Sequence, residues 1–354
     1  MIVLLYNFLV LAALVGCFGR LWRVRPNGCF QSRDTTVFLY LGSLALILAL
    51  ILPGDSFAKL QLIACWVFWY LPILLVVFVW RLEKHRRNLR VALGSFAVII
   101  VAVGIDAFWI EPQALNVTYR RFHSDKLDRP MRIAVLADIQ TDIPGDYEAR
   151  VFARVKQEQP DLILFAGDYI QVEDRQACLA ATHKLNALLK QTNLNPPLGK
   201  IAVQGNIDFV QPWQSVFTDT GTWVLEQTQT LDLGPVIVTC LSMAQSYDIK
   251  TSVTAQDKYH IVLGHIPNYA LGDINADLLL AGHTHGGQVR LPFIGTLLTF
   301  SAVPRAWAAG QTEIAPGKTL LVSRGLGLER GPAPRLRFLC RPELAIVDVV
   351  PIEQ

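Results

Sequence analysis

The sequence predicts a membrane-anchored α/β protein, with four transmembrane helices followed by a soluble domain in which strands and helices alternate. Three observations lead there. Apolar residues are concentrated in the first 110 positions, the later chain reads as short β-branched runs separated by helical stretches, and several of those runs end in residue types that bind metals.

Of the 354 residues, 52% are hydrophobic and only 17% charged, and the mean hydropathy is +0.35. Soluble domains carry roughly 25% charge, so this composition excludes a disordered chain and argues against a wholly soluble one. The first 110 residues hold ten Lys or Arg against four Asp or Glu, a net +6, and the remainder holds 22 against 25, a net −3. With no basic stripe in the later part, nucleic acid is not expected as a partner.

The four apolar stretches span residues 2–19, 36–53, 60–80 and 91–110, each close to the ~20 residues that cross a bilayer and each without a polar face. Trp66, Trp69, Tyr70, Trp80 and Trp109 fall partly near their ends, where interfacial aromatics are favoured. Asp106, near the end of the fourth, reads as a carboxylate reaching for the interface. Arg20, Arg23, Arg25 and Arg33 mark the first loop, and Arg81, Lys84, Arg86, Arg87 and Arg90 the third, while the second, Asp55 to Lys59, is nearly neutral. The positive-inside rule therefore places the first and third loops in the cytoplasm and everything beyond Glu111 outside it. Leu14-Val15-Gly16-Cys17 looks like a lipoprotein cleavage box, but the positive charges follow the apolar run, whereas in a signal peptide they precede it. The expected organisation is an anchor over 1–110, a linker over 111–130 and a soluble domain over 131–354.

Within that domain, Arg132–Ala137, Asp161–Ala166 and Lys200–Gln204 read as buried strands, with helices over Tyr147–Gln159 and Gln176–Gln191 between them. Further strands are expected over Val236–Leu241, His260–Gly264, Asp277–Ala281, Thr319–Ser323 and Ala345–Val350. Cys178, Cys240 and Cys340 are spread singly, with no spacing that suggests zinc or redox chemistry.

The first three strands lead into Asp138, Gly167-Asp168 and Gly205-Asn206, and two later segments end in Gly264-His265 and Gly282-His283-Thr284-His285-Gly286-Gly287-Gln288. In open α/β sheets, ligands bind beyond the carboxyl ends of the strands, so these oxygen and imidazole donors are expected to converge there.

In this order, Asp138-x-Gln140, Gly167-Asp168, Gly205-Asn206-x-Asp208, His265-x-Pro267 and the Gly282–Gln288 block resemble the calcineurin-like metallophosphoesterase family. The resemblance is greatest to its membrane-associated bacterial branch, covers roughly Met131 to Val350 and includes Ser323-Arg324-Gly325-Leu326-Gly327. It implies an αββα sandwich of two packed mixed sheets, and two divalent metal ions bridged by Asp168. The first metal would be held by Asp138, Gln140, Asp168 and His285, and the second by Asp168, Asn206, His265 and His283. Such donors suit Mn, Fe or Zn, and the pair would clamp a phosphate while activating a hydroxide for in-line attack. The resemblance to that branch implies a bacterial inner membrane, and the loop charges place the domain on its periplasmic side.

Two positions depart from the pattern. Gln140 and Ile207 stand where the family usually has His, the first a metal ligand and the second a phosphate-contacting proton donor. Asp142 is a candidate substitute ligand, Asp208 a candidate stand-in for the missing acid, and Arg324, with Arg335 and Arg337, a candidate phosphate contact. General acid help contributes about 10²–10⁴-fold, so its loss spares substrates with good leaving groups such as pyrophosphates. The expected function is a membrane-anchored, metal-dependent phosphoesterase acting on a phosphorylated, lipid-linked substrate among membrane lipids. The competing expectation is a degenerate member that binds a metal or a phosphorylated ligand as a membrane sensor without turnover.

Overall fold

A computed structural model describes residues 2–24, 32–51, 55–209 and 212–352. The chain divides into two compact units, residues 1–108 with 332–335, and residues 109–331 with 336–352 of the described chain.

The first unit is helical: α1 (Ile2–Val24), α2 (Ser32–Ile51), α3 (Ser56–Arg81) and the start of α4 (Arg87–Gln113). Among the described residues, α3 with 26 residues and α4 with 27 are long and apolar enough to cross a membrane. The expectation of four such spans is reduced here to two, because the described apolar runs of the first pair are shorter, Leu4–Gly16 and Gly42–Ile51. The end of the second expected span at 52–53, and Arg25 and Cys29 of the first loop, lie outside the described residues. Asp55 caps α3 by accepting from the Ala58 amide at 2.8 Å. Single π-helical turns interrupt α3 at Trp66–Tyr70 and α4 at Asp106–Ile110.

Tyr6, Val10, Leu14, Ala49, Leu62 and Leu74 are buried together, and the Tyr6 hydroxyl donates to the Ala45 carbonyl at 2.8 Å. Outward positions are just as apolar, with Phe8, Val76, Val98 and Ile99 exposed. A helix that is hydrophobic all round has no face suited to water.

The second unit holds two six-stranded sheets. The first runs β1 (Asn116–Ser124), β12 (Glu343–Pro351), β2 (Met131–Leu136), β3 (Leu162–Phe165), β4 (Lys200–Val203) and β5 (Thr222–Leu225), in that order. The second runs β10 (Gly310–Ala315), β11 (Lys318–Val322), β9 (Leu278–Ala281), β8 (Tyr259–Leu263), β7 (Val236–Cys240) and β6 (Gln229–Asp232). Antiparallel pairs β12–β2, β10–β11 and β6–β7 interrupt otherwise parallel pairing, so both sheets are mixed, as expected.

Strand alternation explains the layers. Ile133, Val135, Leu162, Leu164 and Ile201 face Val236, Val238, Ile261, Leu263 and Leu280 between the sheets. The alternate residues Ala134, Leu136, Ile163 and Phe165 pack on Val151, Phe152 and Val155 of α5 (Asp146–Glu158) and on Leu185 of α6 (Arg175–Thr192). On the far face of the second sheet, Val262, Leu279 and Leu320 pack on Tyr269 and Ile274. Burial on both faces makes the inner strands continuous apolar runs, which is why they were legible.

Residues 111–130, expected as a linker, carry β1, which pairs in parallel with β12 across nine residues. Val117 packs toward the outer core and Phe122 toward the inner one. An edge strand needs few apolar residues when its backbone is bonded to a neighbour, so charged Arg120 and Arg121 masked it in the sequence.

Candidate metal centre

The five strand ends that carry donors meet at one place. β2 leads to Asp138, β3 to Asp168, β4 to Asn206, β8 to His265, and β9 to His283 and His285. Pairing continues past the strands: the Asp138 amide donates to the Gly167 carbonyl at 3.0 Å, and the Gln140 amide to the Asp168 carbonyl at 3.0 Å. Asp138, Gln140, Asp168, His283 and His285 all have positive φ, between 36° and 71°. Non-glycine residues adopt that region at a cost and cluster where a site requires it. Gly205 makes the approach feasible, since a Cβ there would lie 2.1 Å from Asp168 Oδ1.

The set expected for the second metal is tightly assembled. Ligand atoms of Asp168, His265 and His283 lie within 4.8 Å of one another. His265 Nδ1 donates to the Ala166 carbonyl at 2.7 Å, leaving Nε2 2.9 Å from Asn206 Oδ1 and 3.3 Å from Asp168 Oδ2. His283 Nε2 donates to the Phe300 carbonyl at 3.2 Å, leaving Nδ1 2.7 Å from Asn206 Oδ1. Each ring is thus oriented by a backbone carbonyl, the arrangement that aims an imidazole lone pair at a cation.

Charge in the cluster is strongly coupled. Burial pushes Asp138 up to about 7. Burial alone would also raise Asp168, but the facing His265 outweighs it and holds the carboxyl below its usual range. The converse applies to His265, where Asp168 overcomes burial and raises the imidazole to about 9. Burial and then His265 lower His283 to about 4, and burial and then Arg337 push His285 well down. Without a cation, one proton on His265 offsets the Asp168 charge, and the other two rings stay neutral.

In the set expected for the first metal, Asp138 is fully buried and accepts from the His283 amide at 2.9 and 3.1 Å. Gln140 Nε2 donates to Asp168 Oδ2 at 3.3 Å and to Glu329 Oε2 at 3.3 Å. Gln140 Oε1 and His285 Nε2 are buried with no hydrogen-bond partner among the described residues. Buried polar atoms are rarely left unmet, and these two belong to the expected set, so the residues present fit a metal here. His285 Nδ1 stands 3.5 Å from Arg337 Nη2.

Three expected residues are used elsewhere. Asp208 is buried and spends both oxygens on backbone amides, those of Gly205 at 2.7 Å, Asp168 at 2.8 Å and Tyr169 at 3.0 Å, which makes it a brace for the loops. Asp142 is paired with Arg330 at 2.6 Å, which accounts for its carboxylate without a metal. Arg324 is drawn to Glu343, its Nε at 3.3 Å and its amide at 2.9 Å, and away from a phosphate role. Ile207 enters only through its amide, which donates to Asp168 Oδ1 at 3.0 Å.

Sequence reasoning missed Glu329, Gln171 and the role of Arg337. Glu329 Oε1 accepts from Gln171 Nε2 at 2.7 Å, and its amide donates to Gln288 Oε1 at 2.9 Å. Arg337 is fully buried and donates to the carbonyls of Cys340 at 2.9 Å and Arg324 at 2.8 Å, and to that of Gly327. The glycine-rich run Gly325-Leu326-Gly327 after β11 was the available signal, since it brings the loop back across the Asp138 turn: the Gly327 amide donates to the Asp138 carbonyl at 2.7 Å.

Residues 131–287 match the family model described as calcineurin-like phosphoesterase. The chain is 33% identical to the metallophosphoesterase YkuE of Bacillus subtilis over 215 residues, 55% of this chain and 70% of that protein. It is 24% identical to UDP-2,3-diacylglucosamine pyrophosphatase LpxG of Chlamydia muridarum over 325 residues, 72% of this chain and 95% of that one. Phosphodiesterase YaeI of Escherichia coli is 25% identical over 230 residues, 62% of this chain and 83% of that protein. With the layered mixed sheets and the donor cluster at their carboxyl ends, these matches show that the chain belongs to the calcineurin-like phosphoesterase family.

Proposed function

We propose that this chain is a membrane-anchored, metal-dependent phosphoesterase that cleaves a phosphate ester or pyrophosphate, with lipid-linked compounds as the substrate class. The observation that carries it is the convergence of His265 Nε2, His283 Nδ1, Asp168 Oδ2 and Asn206 Oδ1, beside the unsatisfied Gln140 Oε1 and His285 Nε2. Two divalent ions, Mn, Fe or Zn, would be held by these groups with Asp138, and when bound they supply a polarised water and a clamp for phosphate oxygens.

The chain's own residues define the rest. Asp168 lies between the two sets, Asn206 faces both histidines of the second, and Asp208 braces the loop that presents them. Ile207 has no proton to give, so the leaving group departs unassisted at that position, which favours pyrophosphate linkages over alkyl esters. The lipid-linked substrate class is supported by the two membrane-length helices and by the likeness to a protein named for hydrolysing a diacylated nucleotide sugar. A domain on the outer face of a bacterial inner membrane completes the proposal, on the basic loop Arg81 to Arg90 between the two membrane-length helices. A reporter fused after Gln354 should then be active only outside the cytoplasm.

The test is turnover by the purified full chain in detergent, with a lipid pyrophosphate and with bis-p-nitrophenyl phosphate, in Mn, Fe or Zn. Product that is abolished by chelation and by Asp168→Ala supports the proposal. Two bound metals with no product in any of them would instead favour binding without turnover, the reading that Ile207 motivates.

A further inference from the structure

The hairpin after the histidine block is apolar where it should not be. Arg290 and Leu291 pair with Thr296 and Gly295, and the tip between them leaves Phe293 fully exposed and Ile294 65% exposed. Leu297 and Leu298 continue the exposed surface at 39% and 44%. Phe293 is held at φ 66°, a left-handed conformation that a bulky side chain avoids unless the surroundings impose it. Several large apolar side chains exposed within one ten-residue segment mark a contact surface.

The hairpin is also fixed and close to the donor cluster. The Arg290 amide donates to the Phe338 carbonyl at 2.9 Å, Thr296 Oγ1 to the Gly286 carbonyl at 2.9 Å, and the Phe300 carbonyl receives His283 Nε2. Its charge is one-sided. No acidic residue occurs between His285 and Glu313, whereas Arg290 and Arg305 flank the tip and Trp307 follows. Apolar tips with basic flanks suit a lipid surface that is anionic at its headgroups and apolar beneath. The same chain carries two helices of membrane length.

We propose that the 290–300 hairpin is a lipid-contacting element, which inserts Phe293 and Ile294 among the acyl chains of an anionic bilayer and so brings lipid-borne phosphates to the adjacent cluster. The second half of this statement rests on the proposed phosphoesterase function, and the first does not.

The test uses the full chain in nanodiscs of phosphatidylethanolamine and phosphatidylglycerol, with Phe293→p-benzoylphenylalanine. Ultraviolet irradiation followed by mass spectrometry should give a lipid adduct at 293 at least tenfold more abundant than at Tyr247→p-benzoylphenylalanine, an exposed position elsewhere on the domain. Replacing the anionic lipid by phosphatidylcholine should reduce it several-fold. An adduct to a second copy of the chain, or no adduct above the control, overturns the proposal. The readout is independent of turnover, so an active chain without the adduct refutes the hairpin alone, and an inactive chain with it refutes the catalytic reading alone.

Discussion

Glu329 Oε2 stands 3.3 Å from Gln140 Nε2, on the amide nitrogen, while the amide oxygen of the same side chain is buried without a partner among the described residues. Two acceptors, Glu329 and Asp168, fix the nitrogen end, so the oxygen end is the one left for a cation. A carboxamide needs such fixing because either end can turn inward, and an imidazole at this position would not.

Glu329→Ala should therefore weaken the first metal by about tenfold or more, the usual loss when an outer partner of a metal ligand is removed. Calorimetric titration of Mn into the full chain measures it. Gln140→His in the same background should restore the affinity. A loss that persists with histidine at 140 would reduce Glu329 to a general structural role.

Asp208 supports a different expectation. Its carboxylate accepts from three backbone amides, and Asp208→Ala leaves all three donors buried and unmet. The expected destabilisation is about 3 kcal/mol or more, from roughly 1–3 kcal/mol for each unsatisfied buried group. Denaturant unfolding in the presence of a chelator isolates this from metal binding. Unchanged stability with lost turnover would return Asp208 to the acid role that its burial argues against.

At 207, a histidine would place an ionisable ring beside Asn206 and the Asp168 carboxylate that already accepts from its amide. Ile207→His should raise kcat by about 10²-fold or more on an alkyl phosphoester, within the range general acid help supplies, and far less on a p-nitrophenyl ester. Equal gains on both would mean that the ring binds phosphate and donates no proton.

The parts legible from sequence were those with a local cause. Buried parallel strands are continuous apolar runs, so β2, β3, β4, β8 and β9 were recovered within a residue or two, and the donors at their ends with them. β1, β5, β6 and β10 are the edge strands of the two sheets, only partly buried, and the partner of β1 lies at the far end of the chain. Asp208, Asp142 and Arg324 have partners that their motif positions do not reveal, for one shared reason. Residue type and motif position indicate what a side chain is able to do, whereas its orientation is set by partners such as Tyr169, Arg330 and Glu343, contributed by other segments. Glu329 had no motif, and only the return of its loop beside Gln140 reveals it.

Asp168 is common to both proposed metal sets, with Oδ2 3.3 Å from both Gln140 Nε2 and His265 Nε2 and Oδ1 on the Ile207 amide. Asp168→Asn keeps the shape but halves the oxygen donors and removes the charge that holds a proton on His265. It should lose both metal equivalents by mass spectrometry, whereas His283→Ala should lose one. A ligand bound at ~1,000 times its dissociation constant stabilises the folded state by about 4 kcal/mol, which for a domain of this size corresponds to roughly 8–16 °C in Tm. Chelation should lower the Tm of the parent by an amount of that order and leave Asp168→Asn unmoved. A variant that still responds to the chelator would mean that the two sets do not share this carboxylate, and the bridged arrangement would have to be abandoned.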